Sequence, residues 1–401
     1  MFSRIKFTVV IGSTFLTALL VIGAVLGESS SADGAYRQLA VYTDVLTRIK
    51  SDYVEEPDIK QVTRGALQGL LESLDPYSSY FTAEQYKEYE KRKAAQEGGI
   101  GLVISKRIGI VFVLSALPGS PAAKAGLSVG DQIDAIDTRA TRELPLPLAQ
   151  SLFQGPVGST VTLLVRRTRR SEDPQEITLT RAPISLPVAA SRLLEDKVGY
   201  LEVKALTAGK AAEAARSLRE LMNQGAERMV LDLRGNALGD WQEGLKLANL
   251  FVDEGLLGYL EGQKFPRKDF TAEARQAICK LPLVIITNRA TSGPAELVAA
   301  ALLDRGRGKI VGEKTLGLGA EPKTLPLEDG SAIILSVAKY YRPAGKAIQD
   351  GGVNPTLQVT ESDADLGDED TPAAPAPGER PAQADELLKK AIEVVKGATA
   401  A

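Results

Sequence analysis

Met229-Val-Leu-Asp-Leu-Arg-Gly-Asn-Ala-Leu-Gly-Asp-Trp-Gln-Glu-Gly-Leu-Lys-Leu-Ala-Asn-Leu-Phe251 reads as a short apolar strand, a polar loop containing two glycines, and a helix from Glu243 to Phe251. The same alternation continues on both sides. Upstream lie a strand from Val198 to Val203 and a helix from Ala208 to Met222. Downstream come a strand from Leu283 to Thr287, a helix from Ala295 to Leu303 and a β-rich end. Strands that alternate with helices need both faces of a sheet covered, so residues 188–360 are predicted to form a layered α/β unit.

The preceding region has a different rhythm. Between residues 98 and 183 the apolar runs Gly101 to Ile104, Ile110 to Leu114, Gln132 to Ile136 and Val161 to Val165 are separated by Pro and Gly turns, which predicts a compact β-rich domain. Residues 36–97 carry Leu39, Tyr42, Leu46, Ile49 and Tyr53 at helical spacing, a turn at Asp75-Pro76, and the cap pattern Thr82-Ala-Glu-Gln, which predicts a helical module. At the far end, 361–383 is acidic and then Pro/Ala-rich, the composition of a disordered linker, and 384–401 closes the chain with a short helix.

Arg4 and Lys6 precede an uncharged apolar run from Phe7 to Leu26. About 20 residues at about 1.5 Å each match a hydrocarbon layer of roughly 30 Å, so residues 1–27 are predicted to be a signal anchor, or a signal peptide cleaved after Gly27. The basic flank stays in the cytoplasm, which puts the rest on the extracytoplasmic side, periplasmic or cell-surface, and secreted if cleavage occurs. The chain has 48 basic and 51 acidic residues, no histidine and one cysteine, Cys279. That balance gives nucleic acid no basic surface to bind, and the composition excludes a His-assisted triad and an intramolecular disulfide. No zinc ligand set, metal site or cofactor motif is present in the sequence.

The stretch Pro118-Gly-Ser-Pro-Ala-Ala-Lys-Ala-Gly-Leu-Ser-Val-Gly-Asp-Gln-Ile133 closely resembles the central signature of PDZ domains. Gly98-Gly-Ile-Gly-Leu102 then falls where such domains hold a peptide's C-terminal carboxylate, which makes Gly99, Ile100, Gly101 and Leu102 the candidate peptide-binding residues. The order of anchor, helical module, PDZ domain and α/β core resembles the carboxyl-terminal processing, or tail-specific, serine protease family. Five segments carry the resemblance across residues 36 to 360: Leu74-Asp-Pro-Tyr-Ser-Ser-Tyr80, the PDZ signature, Val230-Leu-Asp-Leu-Arg-Gly-Asn236, Gly312-Glu-Lys-Thr-Leu-Gly317, and Lys339-Tyr-Tyr-Arg-Pro-Ala-Gly-Lys-Ala-Ile-Gln349 with Asn354-Pro355. The implied fold class is multidomain α/β: a helical N-terminal module, a β-rich PDZ domain and an α/β tail-specific-protease core.

The resemblance implies a serine nucleophile with a lysine base, and this sequence lacks both. Matching Asn288, Thr291 and Glu296 to the family's serine segment puts Gly293 at the nucleophile. Matching Gly312-Glu-Lys-Thr-Leu-Gly-Leu-Gly319 puts Leu318 at the lysine, and the glutamine that orients it becomes Pro322. The family's Asn-Pro-Gly-Gly loop, which contributes an oxyanion N–H, becomes Asn236-Ala-Leu-Gly239, so Leu238 and Gly239 form a degenerate oxyanion loop. Ser292 is the fallback nucleophile, but one position along a helix turns a side chain by about 100°, and its simpler role is a helix cap before Pro294. Lys314 is predicted to be a solvated charge. The reading is therefore a proteolytically inactive homologue, a pseudoprotease that binds protein C-terminal or unfolded peptide segments. The alternative is an active serine endopeptidase using Ser292. A catalytic relative, a second copy in a homo-oligomer, and the membrane through residues 7–26 are the further partners this reading admits.

Overall fold

The computed structural model of the chain describes residues 32–93, 97–167, 173–184, 189–359 and 385–397, with side chains from residue 36. The membrane segment 7–26 and the linker 361–383 lie outside the described residues. Among the described residues no helix is long and apolar enough to cross a membrane. Contacts divide the chain into one unit ending at Leu67 and a larger one from Gln68 onward. The first holds helix Ala32–Asp52 and most of helix Ile59–Glu72.

In the larger unit the core is a six-stranded sheet in the order Ala190–Leu193, Val198–Glu202, Arg228–Asp232, Leu283–Thr287, Gly308–Gly312, Leu357–Gln358. All its pairings are parallel except that of the first strand. Successive side chains of a strand point to opposite faces. Leu201, Met229, Leu231, Leu283 and Ile285 accordingly meet the helices Lys210–Asn223, Trp241–Asn249 and Pro294–Asp304 on one face. Val198, Tyr200, Val230, Val284, Ile286 and Val311 meet Leu387, Leu388, Ala391 and Val395 of helix Glu386–Lys396 on the other. Both faces are buried, which is why these strands are uniformly apolar in sequence.

The PDZ domain has the sheet order Leu102–Arg107, Ile110–Ala116, Gln132–Ile136, Thr160–Arg166, Gln175–Thr180, close to the predicted runs. Leu102–Arg107 is its edge strand. The helical module differs from expectation beyond Glu72. Ser79–Phe81 is a strand that pairs antiparallel with Ala332–Tyr341, adding to a second sheet completed by Leu256–Gly262, Phe265–Thr271 and Ala320–Pro326. Helix Ala83–Lys93 then starts on the predicted cap, with Gln85 N–H donating to Thr82 Oγ1 at 3.2 Å and Thr82 N–H to Gln85 Oε1 at 3.1 Å.

Candidate functional site

The parallel strands deliver their loops to one end of the core, where clefts of such sheets form. Strand Leu283–Thr287 leads into Asn288-Arg-Ala-Thr-Ser-Gly-Pro and the Pro294–Asp304 helix. Asn288 Oδ1 accepts from the N–H of Gly235 and of Ala290, each at 3.1 Å, and Thr291 Oγ1 donates to Leu233 O at 2.9 Å. These bonds tie the loop to the oxyanion segment. Gly293 turns sharply into the helix with φ 60° and ψ −126°. Such a strained turn is how strand-to-helix elbows present a nucleophile. A Cβ at this position would have nothing nearer than Leu318 O, 3.9 Å away. The elbow is present and open, and it carries no oxygen.

Glu296, fully buried, fastens the base segment to the elbow. Its carboxylate accepts from the N–H groups of Gly317 at 2.7 Å, Leu318 at 2.8 Å and Gly293 at 2.9 Å, and from Thr315 Oγ1. Burial pushes its carboxyl up to about 7, with these hydrogen bonds opposing the shift. Leu318 is buried at the lysine position and Pro322 is exposed on strand Ala320–Pro326, beside an irregularity in its pairing. Lys314 is exposed, as predicted. Tyr77 reaches the same cleft: burial raises its phenol above the ordinary range, reinforced by Glu296, Asp75 and Asp350.

Ser292 is buried, its N–H donates to Asn236 O at 2.9 Å, and its hydroxyl makes no hydrogen bond to any described residue. It is also not the helix cap: Gly293 is, closed by the bond from its own N–H to Glu296. The backbone turn, one residue later than expected, sets the cap. Leu238 is half-buried with its carbonyl accepting from Leu206 N–H at 2.8 Å, and Gly239 bridges to Leu206.

One loss escaped the sequence reading. At a nucleophile elbow, the N–H of the following residue is a standard oxyanion donor. Here that residue is Pro294, which has no N–H, and the N–H of Gly293 is already given to Glu296. The signal is visible in the sequence, where Pro294 directly follows the nucleophile position.

The PDZ loop is better preserved. Gly99 exchanges both backbone bonds with Ala182 at 2.9 Å, which removes it from the predicted set of carboxylate donors. The N–H groups of Ile100 and Gly101 make no hydrogen bond to any described residue, while their carbonyls accept from Ala122 and Leu117. Leu102 then opens the edge strand. On that edge Gln150 Nε2 donates to Ile104 O at 3.4 Å, a weak contact that an added strand would replace.

Family comparisons agree with this geometry. Residues 197–359 match Peptidase family S41, 112–167 a PDZ domain, and 23–85 the activating protease CtpB N-terminal domain. Fold and site thus define an S41 peptidase scaffold bearing a PDZ domain. The carboxyl-terminal-processing protease of Picosynechococcus sp. is 35% identical over 302 residues, covering 74% of this chain and 72% of that protein. Its counterpart in Synechocystis sp. is 34% identical over 321 residues, covering 78% and 75%. The solved photosystem II D1 C-terminal processing protease superposes with a TM-score of 0.65 at 26% identity, covering 80% of this chain and 92% of that one. The chain belongs to the carboxyl-terminal-processing protease family.

Proposed function

We propose that this member of the family holds peptides without cleaving them, using its PDZ loop to receive C-terminal carboxylates and its cleft to accommodate the preceding segment. The observation that carries the reading is the elbow at Gly293, which keeps its turn and its space but has no nucleophilic oxygen. Leu318 supplies no base, Pro294 no amide proton, and Ser292 no hydrogen-bonded base among the described residues. A serine and its base together account for roughly 10⁶-fold of rate in such enzymes, and losing either removes most of it. Residues 7–26 tether the protein with its bulk on the extracytoplasmic side, where unfolded tails or a catalytic relative are its partners.

The test is turnover of unstructured peptides with free C-termini by the purified full chain, together with fluorophosphonate labelling from about pH 6 to about pH 10. The expected result is neither cleavage nor labelling. Cleavage that Ser292→Ala abolishes would overturn the proposal in favour of an endopeptidase built on Ser292. The combined variant Gly293→Ser, Pro294→Ala, Leu318→Lys and Pro322→Gln serves as the positive control, since the open space at residue 293 admits a serine.

A further inference from the structure

We propose that the C-terminal helix Glu386–Lys396 is a releasable clamp on the loop that carries Leu238. Three of the four helices that cover the core sheet lie between its strands in sequence. This one follows the last strand and is the only described helix on its face of the sheet. It holds that face through Leu387, Leu388, Ala391 and Val395, all nearly or fully buried. Its position is fixed at one point by a bidentate pair: Arg234 Nη2 to Asp385 Oδ2 at 2.6 Å and Arg234 Nη1 to Asp385 Oδ1 at 3.1 Å. At the other end Lys396 pairs with Asp196 on the surface, beside the buried Val395.

Arg234 lies near the start of the loop leading to Leu238 and Gly239, two residues past the strand Arg228–Asp232, and it is wired into the centre of the sheet. Its guanidinium also holds Asp232, which is fully buried and accepts from Tyr200 OH at 2.8 Å, and its carbonyl accepts from Lys204 Nζ at 3.1 Å. From there Gly235 and Asn236 connect directly to Asn288 and Ser292 of the elbow. Asp385 thus sits two hydrogen-bonded contacts from the cleft although it lies 151 residues along the chain from Arg234. A docked helix orients Arg234 with both carboxylates and holds the loop. An undocked helix removes the Asp385 carboxylate from the guanidinium, so the loop entry is held by one tether fewer and opens more readily.

Hydrogen exchange on the full chain tests this through two perturbations of different kind. Asp385→Asn removes the charge but keeps the helix cap, because asparagine caps as well as aspartate and the native cap accepts from Leu388 N–H at 2.9 Å. Leu388→Ala weakens docking by packing alone and leaves the ion pair's atoms in place. Each variant is expected to raise exchange in 386–397 and 233–241 together by about tenfold, with helix Lys210–Asn223 at wild-type rates. The proposal is overturned if 386–397 is freed while 233–241 keeps its wild-type rate, or if neither segment responds. It is equally overturned if Lys210–Asn223 accelerates in step, since the helix is then part of the global core and no local clamp.

Discussion

Two glycine turns in this molecule, one ahead of the PDZ edge strand and one at the elbow of the core, have opposite consequences. At Gly101, φ is +70° and an added Cβ would lie 2.3 Å from Ser120 Cβ, so the turn exists only because the residue is glycine. At Gly293, φ is +60° and the added Cβ would meet open space. The first turn works through backbone amides, for which a side chain is an obstruction. The second belongs to an elbow whose task in the family is to aim a side-chain oxygen, so glycine relieves the backbone strain and removes the chemistry in one step. Glycine here is expected to stabilise the fold relative to any side-chain-bearing residue, so the elbow keeps its geometry without needing a nucleophile.

The largest effect that would break the comparison is at the PDZ loop. Gly101→Ala has to displace Ser120, itself buried and capping the short helix Pro121–Lys124, while also adopting a left-handed backbone. It is expected to destabilise the domain by about 3 to 5 kcal/mol and to abolish binding of peptides with a free C-terminus, measured by urea unfolding and fluorescence polarisation. Retained binding would mean that the carboxylate is received elsewhere.

A second effect, of order 3 kcal/mol, belongs to the cleft. Glu296 titrates near 7 in the folded protein against about 4.5 when exposed, so between those values the folded chain binds the extra proton. Its stabilising contribution is fully present below about pH 4.5 and is lost as pH rises through about 7. Subtracting the urea stability of Glu296→Gln from that of the wild type at each pH should leave this downward slope. A flat difference would mean that the folded carboxyl titrates at its ordinary value, and a rising one that hydrogen bonding outweighs burial.

How much of this was readable from the sequence depends on the range over which each signal acts. The sheet strands were legible because burial on both faces makes Met229 to Leu233 and Leu283 to Thr287 continuously apolar. The empty nucleophile position was legible because Asn288, Thr291 and Glu296 fix the alignment locally. Ser79–Phe81 was not: three residues carry no period, and the strand exists only through its pairing with Ala332–Ile334. The pairing of Gly99 with Ala182 is not legible because the partner is chosen by the fold, and the Arg234 pair with Asp385 is invisible for the same reason. Pro294 was legible but read for helix geometry alone, when its missing N–H mattered as much.

Gly293→Ala sharpens the comparison by isolating strain from steric conflict. With open space around the new Cβ, only the unfavourable backbone remains, so the cost should be about 1 to 2 kcal/mol, clearly below that of Gly101→Ala. Equal costs in urea unfolding would show that the elbow is less open than its 3.9 Å clearance implies.

The smallest effect is the most discriminating for the cleft. Ser292 is buried as a residue and its hydroxyl makes no hydrogen bond to any described residue, so Ser292→Ala removes a polar atom that takes no bond from the protein. Stability should stay within about 0.5 kcal/mol of wild type, and binding of free C-terminal peptides should not change. A nucleophile would behave otherwise, since any base able to activate it would bond the hydroxyl and leave its own polar group unpaired in the variant, at a cost of about 1 to 3 kcal/mol. A near-zero change in the urea midpoint, with an unaltered binding isotherm, therefore separates a spectator serine from a displaced catalytic one without any assay of turnover.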